Sequence, residues 1–277
     1  MPKLPSSRVA LSFESSLLST FLKGSSFAAL PLSTKDVDIP YFVQKKIGNH
    51  YLLLMAEGGS DYNHAVTALT AKSLWGPYVP CTINPVLTHR HLGKDYPVQS
   101  LGHADLVQTP TGDWYAVFLG KRIVEGGLVP LGRETFLCEV SFQNGEPIFN
   151  PGIGVIGNRL KRPLLPWTPV SKTDKQNDFE SSALSPEWAT MRIPEQPLHH
   201  FADGNLFLSL RPEMADSLVC PSMLLHRVHS HNFSAITTMT FSTCQANKWA
   251  GLVLYRTAKG YYSLLKGKNE IRLTIDK

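Results

Sequence analysis

Short apolar segments bounded by turn residues recur along this chain from residue 39 onward. The first two, Tyr41–Gln44 and Tyr51–Ala56, flank a Gly48-Asn49 dipeptide, which is the pattern of a β-hairpin. Ala104–Gln108 and Trp114–Leu119 form a second such pair around a turn that contains proline and glycine. The 277 residues include 20 Gly and 20 Pro, which is typical of many short strands joined by turns. We therefore expect an all-β fold, either a propeller or a sandwich.

Composition divides the chain into four segments. Residues 1–38 are rich in Ser and Leu and lack strand alternation, so they form a lead-in of undetermined structure. Residues 39–165 form the first β unit, and residues 166–177, rich in Pro, Lys and polar residues, form a linker. Residues 178–277 are expected to form an incomplete antiparallel β-sandwich. Its expected strands are Leu206–Leu210, Ala235–Thr240, Gly251–Tyr255, Tyr261–Leu265 and Ile271–Ile275.

Charge and hydropathy exclude two classes of partner. The net charge is +5, but the basic residues are scattered and accompany no nucleic-acid-binding motif, so no nucleic-acid partner is expected. No segment approaches the roughly 20 apolar residues that span a bilayer, so no membrane partner is expected either. Near the amino terminus, Glu14 interrupts the apolar residues and no clear signal peptide is predicted. The sequence leaves the compartment and the oligomeric state open.

Four cysteines are spread along the chain without the CxxC spacing of a metal site or a redox motif. We expect them to be buried thiols rather than ligands. They are Cys81, Cys138, Cys220 and Cys244.

Glu57 is the first candidate for a functional residue. It ends the apolar run Tyr51–Ala56 and is followed by Gly58 and Gly59, which allow a sharp turn and leave space beside the acid. A strand and a glycine turn of this kind can present a catalytic carboxyl group to a ligand. The alternative is an ordinary solvated glutamate at the end of a strand.

His103 and Arg133 are two further candidates, each placed next to a glycine at the start of an expected strand. Loops that lead into strands often carry function in β scaffolds. An arginine offers fixed donors to a carboxylate or to sugar hydroxyls. The alternatives are a structural histidine at 103 and a surface ion pair between Arg133 and Glu134.

Together these segments resemble glycoside hydrolase family 43, the group of β-xylosidases and α-L-arabinofuranosidases, in its branch with an appended concanavalin-like β-sandwich. Five motifs occur in the family's order. They are Ala56-Glu57-Gly58-Gly59 with Tyr62 to Thr67, then Leu74 to Tyr78, Asn84 to Arg90, Gly102 to Val107, and Leu131 to Thr135. The sandwich branch is matched by Asp178-Phe179, Leu184 to Trp188 and Ala250 to Tyr255.

The resemblance implies an inverting glycosidase that removes terminal xylose or arabinose. Residues 39–165 would be the carboxyl-terminal part of a five-bladed β-propeller, and the substrate would be a pentose-containing oligosaccharide or a xylan fragment. Glu57 matches the family's general acid, and Arg133 and His103 match residues that contact the sugar. No cofactor is required, although a calcium ion could lie near His103, held largely through waters.

The chain departs from the family at the general base, which lies on an early strand in a Pro-Asp-Pro motif. The acids upstream of Glu57 are Glu14, Asp36 and Asp38, and none has that setting. The resemblance therefore implies a chain truncated at both ends, without about the first two blades. Since inversion needs an acid and a base, we expect the chain to be inactive or weakly active.

Two other functions stay open from the residues alone. One is a noncatalytic, lectin-like protein whose aromatic side chains stack on sugar faces, although the same side chains could belong to the core. The candidates for such stacking are Trp249, Tyr255, Tyr261 and Tyr262. The other is an unrelated all-β interaction protein, which the ordered motifs disfavour.

Overall fold

The computed structural model describes residues 42–169, 177–181 and 183–276. The expected lead-in, residues 1–38, and most of the expected linker lie outside these ranges. The described residues form an all-β fold, in which every strand pairing is antiparallel and the helical structure is one short 3-10 turn, Glu125–Gly127. No helix in these ranges is long and apolar enough to cross a membrane. The chain forms two compact units that divide between Trp167 and Thr168.

The first sheet of the amino-terminal unit begins with the expected hairpin. Its strands are β1 (Phe42–Ile47), β2 (His50–Glu57), β3 (Ala65–Ala71), β4 (Val79–Pro80) and β5 (Leu87–Thr88). They follow the order β1-β2-β3-β4, and β5 pairs with a different part of β3. Gly48 has a φ of 57° in the turn between β1 and β2, a conformation that glycine adopts without strain. The register places Glu57, the last residue of β2, opposite Ala65.

The second sheet of this unit is a four-stranded meander. Its strands are β6 (Val98–Gln108), β7 (Trp114–Arg122), β8 (Glu134–Gln143) and β9 (Glu146–Phe149), and they pair in chain order. The pairing of β6 with β7 shifts register on both sides of Gly102, and Ser100 and His103 have positive φ angles of 57° and 56°. Such bulges redirect side chains near functional sites. Here the bulge sets the direction of His103.

The two sheets bury a common core because each presents alternate apolar residues to the other. Alternation is the natural period of a strand, so one face of each sheet can be apolar throughout. Each fully buried large side chain stabilises the fold by about 1.5–3 kcal/mol. The core includes Leu52, Leu54, Val66 and Ala68 of the first sheet and Ala104, Leu106, Ala116, Phe118 and Cys138 of the second.

The described strands of the carboxyl-terminal unit form three small antiparallel sheets. Strands β10 (Trp188–Thr190) and β13 (Leu224–His226) pair, and β11 (His199–Ala202) forms a hairpin with β12 (Asn205–Leu208). A three-stranded meander completes the unit, with β14 (Ala250–Thr257), β15 (Gly260–Lys266) and β16 (Ile271–Asp276). The strands expected at 251–255, 261–265 and 271–275 are confirmed by this meander. The strand expected at 206–210 is confirmed as far as Leu208, where the hairpin strand β12 ends.

Two sequence predictions are wrong in this unit. Residues 235–240 do not form a strand, and Ile236 is 94% exposed. A β-branched, apolar run forms a strand only when a neighbouring strand takes its hydrogen bonds, and none of the described strands does so here. The cysteines also differ from expectation, because Cys244 is exposed and Cys220 is partly exposed. Cys81 and Cys138 are buried, and burial raises the pKa of each thiol to about 12.

Candidate active site

A glycine turn carries the chain away from Glu57 at the end of β2. Gly58 and Gly59 have φ angles of 74° and 63°, which lie in the region that glycine favours. A Cβ atom at position 58 would lie 2.2 Å from the carbonyl oxygen of Asn63, so a larger residue does not fit there. We refer to residues 58–63 as the Glu57 turn. The turn is as sharp as the two glycines predict.

The carboxyl group of Glu57 is held at both oxygens. Oε2 accepts a hydrogen bond of 2.9 Å from Oγ1 of Thr67, and Oε1 accepts one of 3.1 Å from Nη1 of Arg90. The side chain of Glu57 is 29% exposed, and that of Arg90 is 38% exposed. The carboxyl group is therefore fixed in direction and still accessible to a ligand.

Arg90 is itself anchored close to the turn. Its carbonyl oxygen accepts a 2.6 Å hydrogen bond from the hydroxyl of Tyr62, and its amide donates to Oγ1 of Thr88 in β5 over 3.3 Å. Sequence reasoning gave no role to Arg90 or to Thr67. Both residues lie within motifs that carry the family resemblance, which was the available signal.

His103 in β6 and Arg133, which directly precedes β8, line the same open depression of about 410 Å³. Val107, Val117 and Thr135 also line it. Burial lowers the pKa of His103, and the positive charge of Arg133 lowers it further. The structure therefore brings these two predicted residues together in one concave site.

Arg133 connects this depression to the Glu57 turn. Its Nη1 atom donates a 3.3 Å hydrogen bond to Oγ of Ser60. Glu134, the alternative partner considered for Arg133, pairs with Arg122, whose Nε lies 2.9 Å from Oε1 and 3.0 Å from Oε2 of the carboxylate. These hydrogen bonds raise the pKa of Arg122. Arg133 thus lies within reach of the turn that carries Glu57.

The donor set around His103 does not fit a directly coordinated calcium ion. Calcium prefers several oxygen ligands, and carboxylates above all. In the described ranges no group of three or more His, Cys, Asp and Glu side chains is placed to hold a metal ion. Asp105 lines the depression with His103, but its Oδ1 lies 3.2 Å from Nζ of Lys45, and the positive charge of Arg133 acts on His103. A calcium ion held through waters near His103 stays a prediction.

The aromatic residues considered for sugar stacking are partly engaged within the carboxyl-terminal unit. The ring of Trp249 carries the guanidinium of Arg272, 4.2 Å from its centroid, and also packs against Gly267. Tyr255 and Tyr261 stack on each other with ring centroids 6.1 Å apart. Tyr262 is 52% exposed. The described contacts of Trp249 therefore occupy much of the surface that a sugar would need.

Comparison with protein families gives two matches along the chain. The model of Glycosyl hydrolases family 43 matches residues 33–147, and that of the beta xylosidase C-terminal Concanavalin A-like domain matches residues 176–275. The first match contains Glu57, His103 and Arg133. The second contains all seven strands of the carboxyl-terminal unit except the last residue of β16.

Similar proteins agree with these matches. A xylosidase/arabinosidase of Butyrivibrio fibrisolvens is 36% identical over 91% of this chain and 50% of its own length, and a non-reducing end alpha-L-arabinofuranosidase of Bacteroides ovatus is 34% identical over 89% and 46%. A solved family 43 structure from Bacteroides ovatus is 33% identical, with a TM-score of 0.71 over 85% of this chain and 47% of that one. Another, from Bacillus licheniformis, is 28% identical, with a TM-score of 0.72 over 86% and 47%.

The extent of the matches is as informative as their identity. The chain spans about half the length of the curated relatives it matches. Each unit is matched by its own family model, over residues 33–147 and 176–275. The motifs around Glu57, His103 and Arg133, the two domain matches and the similar solved structures lead to the same conclusion: this chain belongs to glycosyl hydrolases family 43 and carries the concanavalin-like carboxyl-terminal domain.

Proposed function

We propose that the site acts as part of an inverting glycosidase that removes terminal xylose or arabinose, with Glu57 as the general acid. The observation that carries this proposal is the carboxyl group of Glu57, fixed between Thr67 and Arg90 at the end of β2 and still partly exposed. A general acid must lie within hydrogen-bonding reach of the leaving oxygen and point toward it. The two hydrogen bonds meet the need for a fixed direction.

Arg133 and His103 would bind the sugar in this mechanism. The guanidinium of Arg133 offers several donors to sugar hydroxyls, and His103 lies beside it in the open depression. Because burial and Arg133 both favour the neutral imidazole, His103 would offer one donor and one acceptor to hydroxyl groups. Glu57 would then protonate the glycosidic oxygen as the bond to the sugar breaks.

The general base is not assigned. Inversion uses a second carboxyl group about 6.5–9.5 Å from the first, on the opposite face of the sugar. The acids upstream of Glu57, namely Glu14, Asp36 and Asp38, lie outside the described residues. Acid or base assistance contributes typically about 10²–10⁴ in rate, so we expect turnover by this chain to be weak or absent.

The architecture that we propose is a partial five-bladed propeller at residues 39–165, a linker at 166–177 and an incomplete sandwich at 178–277. The four-stranded meander β6 to β9 supports the first part, because such a meander is the blade unit of β-propellers. The antiparallel meander β14 to β16 supports the last part.

The substrate class that we propose is a pentose-containing oligosaccharide or a xylan fragment. The relatives from Butyrivibrio fibrisolvens and Bacteroides ovatus are a xylosidase/arabinosidase and an arabinofuranosidase, which supports a terminal pentose. Xylose and arabinose both present hydroxyl groups that Arg133 and His103 could bind, so the described residues favour neither sugar.

Hydrolysis of an aryl β-xyloside and of an aryl α-L-arabinofuranoside tests the proposal. Replacing Glu57 by Gln keeps the shape of the side chain and removes its acid, so any turnover should fall by about 10²-fold or more. Glu125→Gln is the matched control, because Glu125 is an exposed acid outside the site. Full activity in Glu57→Gln would refute the assignment of the general acid.

Titration with xylose and with arabinose in a calorimeter covers the case without turnover. Pentose binding that is lost in Arg133→Ala would support the sugar site. Without turnover, such binding would favour a noncatalytic carbohydrate-binding protein. Strong turnover by the unaltered chain would show that it contains a general base and would overturn our expectation of weak activity.

A further inference from the structure

His64 joins the two halves of the candidate site, although the mechanism above gives it no role. It follows the Glu57 turn, and only 3% of its surface is exposed. Nδ1 of the imidazole donates a 2.9 Å hydrogen bond to the carbonyl oxygen of Glu57 itself. The two ends of the turn are therefore joined by one side chain, and that bond fixes the peptide from which the carboxyl group of Glu57 extends.

The other side of the imidazole is closed by the bulge in β6. A Cβ atom on Gly102 would lie 2.1 Å from Cδ2 and 2.2 Å from Nε2 of His64, so the ring rests directly on the glycine backbone. Nε2 has no hydrogen-bond partner among the described residues. The ring therefore lies between the Glu57 carbonyl and the backbone of Gly102, the residue that precedes His103.

The charges around His64 favour its neutral form. Glu57, on β2, accepts its hydrogen bond through the backbone. The groups that face it from the second sheet are His103 on β6, Lys121 on β7 and Arg133 before β8. Burial lowers the pKa of His64, the hydrogen bond to the Glu57 backbone partly opposes this, and the positive charges of Lys121 and Arg133 lower the pKa further. Asp61 in the turn lies 3.9 Å from Lys121.

We infer that His64 is a positioning residue, which aims the general acid by holding the Glu57 carbonyl through Nδ1 while its ring packs on Gly102. This inference rests on the proposed function only for the role of Glu57 as the acid. The contact between His64 and Glu57 is chemically specific, because the Glu57 carbonyl needs a donor at the position of Nδ1. Nε2 makes no hydrogen bond among the described residues, so it does not itself require histidine. Gly102 is part of the same device, because any side chain there displaces the ring.

Two substitutions of His64 distinguish the effect of its hydrogen-bond donor from the effect of the volume of its ring. In His64→Asn the amide nitrogen stands where Nδ1 stands, and the bond to Glu57 can form again. In His64→Gln the amide nitrogen stands where Nε2 stands, and the carbonyl loses its donor. Gly102→Ala tests the same device from the other side, since the added methyl group pushes the ring away without changing His64.

The first measurement is the NMR spectrum of the isotope-labelled full chain. The amide nitrogen of Gly58 is bonded to the carbonyl carbon of Glu57, so its resonance reports on the hydrogen bond between that carbonyl and His64. We expect it to move in His64→Gln and in Gly102→Ala and to return toward its original position in His64→Asn. The thermal unfolding midpoint of each variant shows that it is folded. An unmoved Gly58 resonance in His64→Gln, or equal shifts in the Asn and Gln variants, would overturn the inference.

The second measurement is turnover of the aryl pentosides where the unaltered chain hydrolyses them. A misaimed acid should lower kcat by about ten- to a hundredfold and leave KM within about twofold, with recovery in His64→Asn. An equal loss in both His64 variants would contradict a positioning role. If the unaltered chain neither binds nor hydrolyses a pentoside, the proposed function fails, whereas the Gly58 resonance still decides the role of His64.

Discussion

Both units of the chain contain paired antiparallel strands, but they differ in how many apolar side chains those strands bury. Among the described residues, every buried apolar side chain belongs to the amino-terminal unit except Leu198 and Pro221. In the carboxyl-terminal unit one face of the sheet β14 to β16 carries six apolar side chains that are 45–73% exposed. The register aligns its residues in rows across the three strands. They are Leu254, Tyr262, Leu264, Ile271, Leu273 and Ile275.

This difference shows that alternation specifies a strand, whereas a core also needs an opposing layer. In the amino-terminal unit the second sheet supplies that layer, and Leu54 is 2% exposed as a result. The candidate active site lies in the same unit, where Glu57 and Arg133 extend from two sheets that share one core. A rigid scaffold of this kind can hold a catalytic group in one direction.

Replacing one leucine in each unit should give very different losses of stability. Leu54→Ala removes a fully buried side chain and leaves a cavity, so the free energy of unfolding should fall by about 2–5 kcal/mol. Leu264→Ala is the matched control in the exposed face, where Leu264 is 49% exposed, and its effect should stay within about 0.5 kcal/mol. Urea unfolding followed by resonances of each unit measures both. Similar losses would show that the exposed face is buried in solution.

The same contrast explains which parts of the fold could be predicted from the sequence. The hairpin of β1 and β2 and the meander β14 to β16 follow from local alternation and turn residues, and both were predicted. The segment 235–240 has similar composition but forms no strand, because pairing depends on a neighbour that local pattern does not reveal. The bulge at Gly102 and His103 is likewise a property of the pairing with β7.

In the candidate site, the sequence predicted the residues that have a characteristic local pattern, namely a glycine next to them in the chain. Gly58 and Gly59 pointed to Glu57, and local glycines pointed to His103 and Arg133. The partners of the Glu57 carboxyl group could not be found in this way, because Thr67 and Arg90 lie 10 and 33 residues further along the chain. Their contacts depend on the register of β3 and on the position of the chain after β5.

The stability of the amino-terminal unit should be greatest between about pH 6.5 and pH 9. Burial lowers the pKa of His64, His89 and His103 below their ordinary value of 6.5. Below that pH the unfolded chain binds more protons than the folded one, so stability falls as the pH falls. Cys81 and Cys138 act in the opposite direction, because their pKa rises from 9.0 to about 12 in the folded state. Above pH 9 the unfolded thiols lose protons first, and stability falls as the pH rises.

Urea unfolding at a series of pH values tests this dependence. His89 is the useful probe, since it is fully buried, donates from Nδ1 to the carbonyl of Val98 over 2.6 Å and accepts at Nε2 from the amide of Ile156 over 3.0 Å. The bond accepted at Nε2 needs the neutral ring, because a protonated ring has a donor at both nitrogens. His89→Gln should flatten the acid side of the curve while lowering stability at neutral pH. An unchanged acid slope in that variant would exclude His89 as a source of the dependence.

Ion pairs should show the smallest difference between the units. In the amino-terminal unit Glu134 is 18% exposed and accepts two hydrogen bonds from Nε of Arg122, whereas in the carboxyl-terminal unit Glu270 is 59% exposed and lies 3.3 Å from Arg272. Water screens the exposed pair, so Glu270→Ala should change the free energy of unfolding by less than about 0.5 kcal/mol. Glu134→Ala should cost about 1 kcal/mol or more, because charge-assisted hydrogen bonds to a partly buried carboxylate are lost. Urea unfolding at low and at high salt distinguishes the two pairs. If Glu270→Ala lowered the free energy of unfolding as much as Glu134→Ala or more, burial would not govern the strength of these pairs.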